Sequence, residues 1–250
     1  MGKVSAVVLA AGQGKRMGSR IHKQYLLLEG KPILYYCLKA FEDSAVEEIV
    51  LVVGKGEIPY CQTEIAEKFG FHKIKAIVEG GSERYHSVYE GLRAISRCEI
   101  VLIHDGARPF VSLKNIQDAI EGARKYQACV LGMPVKDTIK RVDGENVALE
   151  TPDRRYLWQI QTPQAFSYEL IRKAYDLLMG DEQMQQGITD DAMVAEKMLQ
   201  KRVKIIEGDY SNMKVTTPED MTIAAALWKA LSTDAKERDR KYDIQKSEKI

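Results

Sequence analysis

Short apolar runs separated by helical patterns limit this chain to one broad kind of fold. Residues 4–11 (VSAVVLAA), 47–54 (EEIVLVVG), 73–78 (KIKAIV), 99–104 (EIVLIH) and 128–135 (ACVLGMPV) are rich in Val and Ile with little polar alternation. Such runs predict strands buried on both faces, as in a parallel sheet. The helical patterns between them have readable ends. PILYYCLKAFED starts on Pro32, IPYCQTEIAEKFG ends at Gly70, SERYHSVYEGLRAIS follows Ser82, and SLKNIQDAIEGARKY follows Ser112 as a cap. Strands alternating with helices imply an α/β fold, a Rossmann-like, mostly parallel sheet with helices on both faces.

After residue 135 the pattern changes. Residues 136–142 (KDTIKRV) and 146–151 (NVALET) flank Asp143-Gly144-Glu145, a hairpin signal, so the sequence predicts a protruding β-hairpin arm at about residues 136–155. A helix is expected after Ser167, another from Thr189 to about Gln200, a strand over 203–208, and a last helix opened by Thr217-Pro218-Glu219-Asp220. From residue 232 to 250 there are six Lys+Arg, five Asp+Glu and almost no apolar periodicity. The expected organisation is a single domain over residues 1–231 that includes the arm, followed by a charged, frayed tail.

Charge and cysteine content exclude several classes of function. With 37 Lys+Arg against 36 Asp+Glu, the net charge of +1 creates no global field toward nucleic acid or an anionic membrane, so neither is an expected partner. No run approaches the roughly 20 apolar residues that a membrane-spanning helix needs. Cys37, Cys61, Cys98 and Cys129 are spread apart with no CxxC, which predicts a reduced, cytoplasmic protein with no disulfide framework and no protein-built metal site.

The richest chemistry lies in LAAGQGKRMG (residues 9–18), where a buried strand runs into Ala10, Ala11, Gly12 and Gly14. Low side-chain bulk at the carboxyl end of a strand lets the backbone approach a ligand, and glycine-rich turns aim N–H groups at phosphate oxygens. Lys15, Arg16, Arg20 and Lys23 follow before Leu28 without a single acid. The loop is not a Walker A motif, because only one residue separates its glycines. It is not a dinucleotide fingerprint either, because Met17 stands at the third glycine position. That substitution argues against a nicotinamide-dependent oxidoreductase.

LAAGQGKRMG followed by HKQYLLLEGKPIL (22–34) resembles the signature of sugar-phosphate nucleotidyltransferases, in their cytidylyltransferase branch. GGSER (80–84) with Ser87, HDGARPF (104–110), VKDTIKR (135–141), IQTPQAF (160–166), ITDDA (188–192) and NMKVTTPEDM (212–221) follow in order. Together they are most similar to the 2-C-methyl-D-erythritol 4-phosphate cytidylyltransferase family over roughly residues 3–230, with ribitol 5-phosphate cytidylyltransferases as the nearest rival family. VKDTIKR, ARPF and ITDDA lean toward the methylerythritol enzymes. A nucleotide-binding regulatory module would have no use for both pairs of cations named below.

The resemblance implies a reaction between CTP and a polyol phosphate, with Mg²⁺ carried mainly by the nucleotide phosphates. It assigns Arg16, Lys23, Arg154 and Lys214 as catalytic cations, the first two at the α-phosphate and the last two at the polyol phosphate. Arg155 leaves the register open by one residue, and counting back from Leu157-Trp158 selects Arg154. Nucleotide contacts are expected from Ala10, Ala11, Gly12, Gly14, Lys15, Gly81, Ser82, Ser87, Asp105 and Gly106. Substrate contacts are expected from Asp105, Arg108, Thr138, Arg154, Thr189 and Lys214. Gly106 stands where many members of the family have Ala, which the sequence reading takes as a looser backbone beside the pyrimidine. His104 reads as a packed strand residue, since an ionised phosphate needs no base. In the family the arm belongs to a homodimer, so Thr138 and Arg154 are expected to serve the other subunit's site.

Overall fold

The computed structural model describes residues 2–12 and 22–247, and beyond Thr233 only the backbone. Strand β1 (Val4–Ala10) precedes a 3₁₀ turn at Lys23–Tyr25, a small hairpin of β2 (Leu27–Leu28) and β3 (Lys31–Pro32), and helix α1 (Ile33–Glu42). There follow β4 (Glu48–Val53), α2 (Ile58–Tyr60) continuing as a π-helix over Cys61–Glu67, β5 (Ile74–Glu79), α3 (Arg84–Ala94), β6 (Ile100–Asp105), α4 (Leu113–Tyr126) and β7 (Ala128–Pro134). The second half holds β8 (Arg141–Val142), β9 (Ala148–Glu150), β10 (Trp158–Ser167), α5 (Tyr168–Met179), α6 (Asp191–Leu199), β11 (Lys204–Glu207) and α7 (Pro218–Ser247).

Seven strands form the central sheet in the order β11-β7-β10-β6-β1-β4-β5, and only β10 runs antiparallel to its neighbours. The expected α/β class and mostly parallel sheet are observed. Every residue of β4 and β6 is buried, whereas edge strands β5 and β11 are partly exposed and carry Lys75 and Lys204, which discourage further strand pairing. Strand alternation sorts side chains to two faces. Ala6, Val8 and Ala10 of β1 join Leu34, Leu38 and Phe41 of α1 and Ile116 of α4 on one face. Val7 joins Val88 and Leu92 of α3, Ile171 of α5 and Val194 of α6 on the other. A smaller cluster, in which Leu28, Ile33 and Tyr36 meet Val215, Ala224 and Trp228, pins the start of α7.

Several local expectations change. Ser112 caps α4 as expected, accepting the Asn115 N–H. Ser82 does not cap α3, which begins at Arg84; its hydroxyl meets His86 Nδ1 at 3.1 Å. At the start of α7 the Asp220 carboxylate reaches back to accept the backbone N–H of Thr216 and Thr217 and the Thr216 hydroxyl. Pro32 pairs in β3, and α1 starts one residue later. The small β2–β3 hairpin was not foreseen; Glu29 and Gly30 both have positive φ (47° and 82°), the requirement of a tight primed turn.

The arm is present as the β8–β9 hairpin. Its tip is not the two-residue Asp-Gly turn that the sequence suggests. Asp143 donates its N–H to the Val147 carbonyl, its side chain accepts the N–H of Glu145 and Val147, and the left-handed residue is Asn146 at φ 64°. The backbone of α7 continues as helix through Ser247, across the segment that the sequence reads as a frayed tail. Its Ala, Lys, Arg and Glu content favours helix even without an apolar stripe. Among the described residues no helix is long and apolar enough to cross a membrane.

Candidate active site

The carboxyl ends of β1 and β6 lie side by side, with Leu9 in register with Asp105, and a cavity of about 550 Å³ opens there. It is lined by Leu9, Ala10, Ala11 and Gly12 from β1 and its extension, and by Lys23 and Gln24 from the 3₁₀ turn. Residues 81–84 and Ser87 line it from the entry to α3, with Asp105 at the end of β6, Ala107 just beyond it and Lys214 before α7. These segments converge because specific contacts tie them. A Cβ on Gly80 would stand 2.6 Å from Ala11 Cβ and 2.5 Å from Ser87 Oγ, so only glycine lets the two loops meet. Gln24, buried, donates its side-chain amide to the Ala10 carbonyl. Tyr25 donates to Glu57 Oε2 at 2.8 Å, and the same oxygen accepts the Gly54 N–H, which fixes the turn carrying Lys23 against the end of β4. Lys214 is placed by its neighbours: Val215 N–H donates to the Ala107 carbonyl, and Asn212 donates to the Thr162 carbonyl.

Asp105 is the electrostatic centre. Lys214 Nζ lies 2.8 Å from Oδ2, while Arg84 Nε and Arg108 Nε each lie 3.6 Å from the carboxylate. Burial alone would raise its pKa, but Lys214, Arg84 and Arg108 together hold it well below the usual carboxylate range. Asp105 therefore stays ionised and cannot donate a proton. It can orient cations or accept from hydroxyls.

Behind it, His104 is fully buried, and burial leads the effects that push its pKa down to about 4. Its Nε2 faces the Arg108 carbonyl at 3.3 Å and so carries the proton, leaving Nδ1 to accept from Thr162. The Thr162 oxygen in turn accepts the Asp105 N–H at 3.1 Å. The reading of His104 as a packed, non-catalytic residue agrees with this geometry.

The family model described as 2-C-methyl-D-erythritol 4-phosphate cytidylyltransferase (IspD) matches residues 4–230. The chain belongs to that family. A cytidylyltransferase of that name from Lachnoclostridium phytofermentans is 48% identical over 229 residues, covering 91% of this chain and 97% of the relative. One from Clostridium perfringens is 50% identical over 225 residues, covering 90% and 98%. The crystal structure of 4-diphosphocytidyl-2C-methyl-D-erythritol synthase from Anaerococcus prevotii is similar with a TM-score of 0.79 at 33% identity, covering 91% of this chain and 96% of that one. The 2-C-methyl-D-erythritol 4-phosphate cytidylyltransferase from Thermus thermophilus gives 0.73 at 31%, covering 90% and 98%.

Within this cytidylyltransferase, the cavity gathers Ala10, Ala11, Gly12, Lys23, Gly81, Ser82, Ser87, Asp105 and Lys214 from the expected set. Gly14, Lys15 and Arg16 lie outside the described residues. Arg108 stands beside Asp105 but also donates to the Asn212 carbonyl at 2.7 Å, so part of its guanidinium serves the fold. Thr189 is exposed just before the cap of α6, outside the cavity lining. Thr138 and Arg154 stand exposed on the arm, also outside the lining. Arg154 donates to the Lys136 carbonyl at 2.9 Å across the base of the arm, whereas Arg155 is spent on Asp153.

Gly106 requires a correction. Its N–H donates to the Leu9 carbonyl at 2.8 Å, and a Cβ there would meet that oxygen and Leu34 Cδ1, both at 2.9 Å. The glycine is therefore a tight packing position between β1 and the loop after β6, not a loosened backbone, and its N–H is already bonded.

Sequence reading missed Arg84, Gln24 and Glu83 in the lining. Arg84 had a signal: it opens α3, where a cation opposes the helix dipole, and α3 has no acid in its first turn to balance it. Such a local conflict points to a carboxylate brought from elsewhere. The four cysteines are buried and unpaired, and burial raises all four thiols, which leaves them chemically inert.

Proposed function

We propose that this enzyme transfers CMP from CTP to 2-C-methyl-D-erythritol 4-phosphate in the cavity beside Asp105. Pyrophosphate leaves and 4-diphosphocytidyl-2-C-methyl-D-erythritol forms, a step of the non-mevalonate isoprenoid route. The observation that supports this assignment of the site is the convergence of Lys23, Lys214 and Asp105 with a bulk-free backbone at residues 10–12, at the carboxyl ends of parallel strands. An oxygen of the acceptor phosphate attacks the α-phosphorus, and the bond from that phosphorus to the bridging oxygen breaks. Both reactants are anions, so the protein's task is to place them and offset their charge.

Lys23, together with Arg16 beyond the described residues, serves the α-phosphate. Lys214, with Asp105 behind it, receives the acceptor phosphate. Ala10, Ala11 and Gly12 supply backbone contacts to the nucleotide, with Gly14 and Lys15 nearer the outer phosphates. Gly81, Ser82 and Ser87 face the pyrimidine, and Arg108 and Thr189 complete the acceptor side.

Magnesium enters with CTP as part of the substrate. Among the described residues no group of three His, Cys, Asp or Glu could hold a metal. An ion carried on the triphosphate keeps phosphate and water ligands, and Asp105 and Glu83 are the carboxylates lining the cavity it would enter.

The arm exposes Val142, Val147, Leu149 and Tyr156, an apolar surface that fits a second copy of the chain. In a homodimer Thr138 and Arg154 would reach the partner's acceptor side. Reduced, buried cysteines suit the cytoplasm as the place of action.

The test is pyrophosphate release from CTP and Mg²⁺ with 2-C-methyl-D-erythritol 4-phosphate or with ribitol 5-phosphate. Release with the former alone, or much faster, is expected; equal or faster release with ribitol 5-phosphate overturns the acceptor. Lys23→Ala should lower kcat by roughly 10²–10³-fold with a smaller change in CTP affinity, the mark of a group that acts on transition-state charge.

A further inference from the structure

Arg84 lines the cavity, yet it is committed to two carboxylates on opposite sides. Its NH1 and NH2 clamp Asp191 at 2.8 and 2.7 Å, and its Nε lies 3.6 Å from Asp105 Oδ1. Asp191 is wholly buried at the start of α6 and is itself held from two sides. Tyr175 of α5 donates to Oδ1 at 2.6 Å, and Gln164 of β10 accepts the N–H of Asp191 and Ala192, both at 3.0 Å. Gln164 also donates to Asp190, the cap of α6, at 2.9 Å. The result is a chain of alternating charge, Asp191, Arg84, Asp105, Lys214, whose far end is anchored in the sheet and in two helices.

We propose that Arg84 is a positioning residue for cytidylyl transfer: by spanning Asp191 and Asp105 it fixes the carboxylate on which Lys214 rests, and ties the entry of α3 to the segment carrying Thr189. The geometry favours this over a purely structural ion pair. An arginine that served only to satisfy Asp191 would have no need to border the cavity or to approach Asp105. Asp105 would then share one edge with Lys214 and Arg108 alone, and each would be free to draw the carboxylate toward itself. With Arg84 on Oδ1, Oδ2 stays turned to Lys214, and the ammonium is presented to an incoming phosphate from a set position. Lysine cannot replace this arrangement, because a single ammonium cannot make two parallel bonds to Asp191 and also face Asp105.

This inference rests on the proposed role of Lys214 at the acceptor phosphate. The experiment is steady-state kinetics on the full-length enzyme with both substrates varied, for wild type, Arg84→Lys, Lys214→Ala and the double variant. Wild-type turnover of 2-C-methyl-D-erythritol 4-phosphate and a raised acceptor KM in Lys214→Ala test the underlying reading. Arg84→Lys tests the inference.

Arg84→Lys should raise the KM for the acceptor about tenfold and leave the KM for CTP within about twofold. The double variant should lose little more kcat/KM than Lys214→Ala alone, since both changes remove one interaction. Asp191→Asn, which keeps the shape and an acceptor for Tyr175, should show the same pattern at about threefold. Equal increases in both KM values overturn the inference, as do fully additive losses in the double variant. Unchanged kinetics in folded Arg84→Lys and Asp191→Asn, with only a lowered Tm, would show a structural pair and overturn it as well.

Discussion

Around the buried Asp105 three cations converge on one carboxylate: Lys214 sits at 2.8 Å, Arg84 and Arg108 at 3.6 Å, and a fully buried His104 holds the backbone from behind through Thr162. On the arm, pairs of equally short length stand in solvent, Arg141 with Glu150 at 2.9 Å and Arg155 with Asp153. The lengths are alike and the consequences are not. Exposed pairs exchange one set of water contacts for another and contribute little, whereas removing the partner of a buried cation such as Arg108 leaves its charge with little water to replace it. The carboxylate and its cations at the cavity are thus held within one chain, while the arm, with Val142, Leu149 and Tyr156 exposed, reads as half of an interface.

The sharpest way to break this contrast is Asp105→Asn. Arg108 would lose its buried carboxylate, while Arg84 keeps Asp191 and Lys214 faces the cavity, and the expected cost is about 3 kcal/mol of folding stability, read by urea denaturation with guanidinium avoided for its ionic strength. A loss under about 1 kcal/mol would mean that the cations are solvated after all.

Next comes pH. His104 is held neutral with its pKa at about 4, whereas an unfolded imidazole titrates near 6.5. Between those values the unfolded chain binds more protons than the folded one. Stability should therefore be fully present above about pH 6.5 and fall as pH drops toward 4, by about 3 kcal/mol from this residue. Denaturation across that window in wild type and His104→Gln should show a shallower slope in the variant; parallel slopes would remove His104 as the source.

A smaller effect is expected at Tyr175→Phe, which leaves Asp191 Oδ1 without its hydroxyl donor: about 1–2 kcal/mol in stability. No change there would show that Arg84 alone satisfies Asp191. The smallest effect on folding is expected from Val142→Asp with Leu149→Asp on the arm, about 0.5 kcal/mol or less for each exposed position. The same change should abolish association in sedimentation experiments. A large loss of monomer stability with association retained would place the arm within its own chain's fold instead.

Much of the central sheet was legible because its strands are buried on both faces, and an unbroken apolar run such as residues 99–104 has few other ways to exist in water. The glycine-rich extension of β1, Lys23, Gly81, Asp105 and Lys214 were legible from residue type and order, and they meet in one cavity. For Arg84 the opening of α3 marks a cation in want of a carboxylate but not which one, because its partner Asp191 lies 107 positions away in sequence. The reading of Gly106 went astray for a related reason. What excludes a Cβ there is the carbonyl of Leu9, and that contact exists only once β1 and β6 pair. At the arm, the Asp-Gly signal located the turn but not its shape, since the Asp143 side chain bonds across the loop and moves the left-handed position to Asn146.

Apolar patterning and helix punctuation, which are local properties of the chain, were enough to specify an α/β sheet and to put a cation-rich, low-bulk loop at the end of its first strand. Which charges face each other was a decision of the tertiary structure. Lys214 reaches Asp105 because Val215 binds the loop after β6 and Asn212 the middle of β10, and Arg84 reaches both carboxylates because α3 and α6 pack on the same face of the sheet. Coulomb energy depends on distance and burial, and neither is a property of sequence separation.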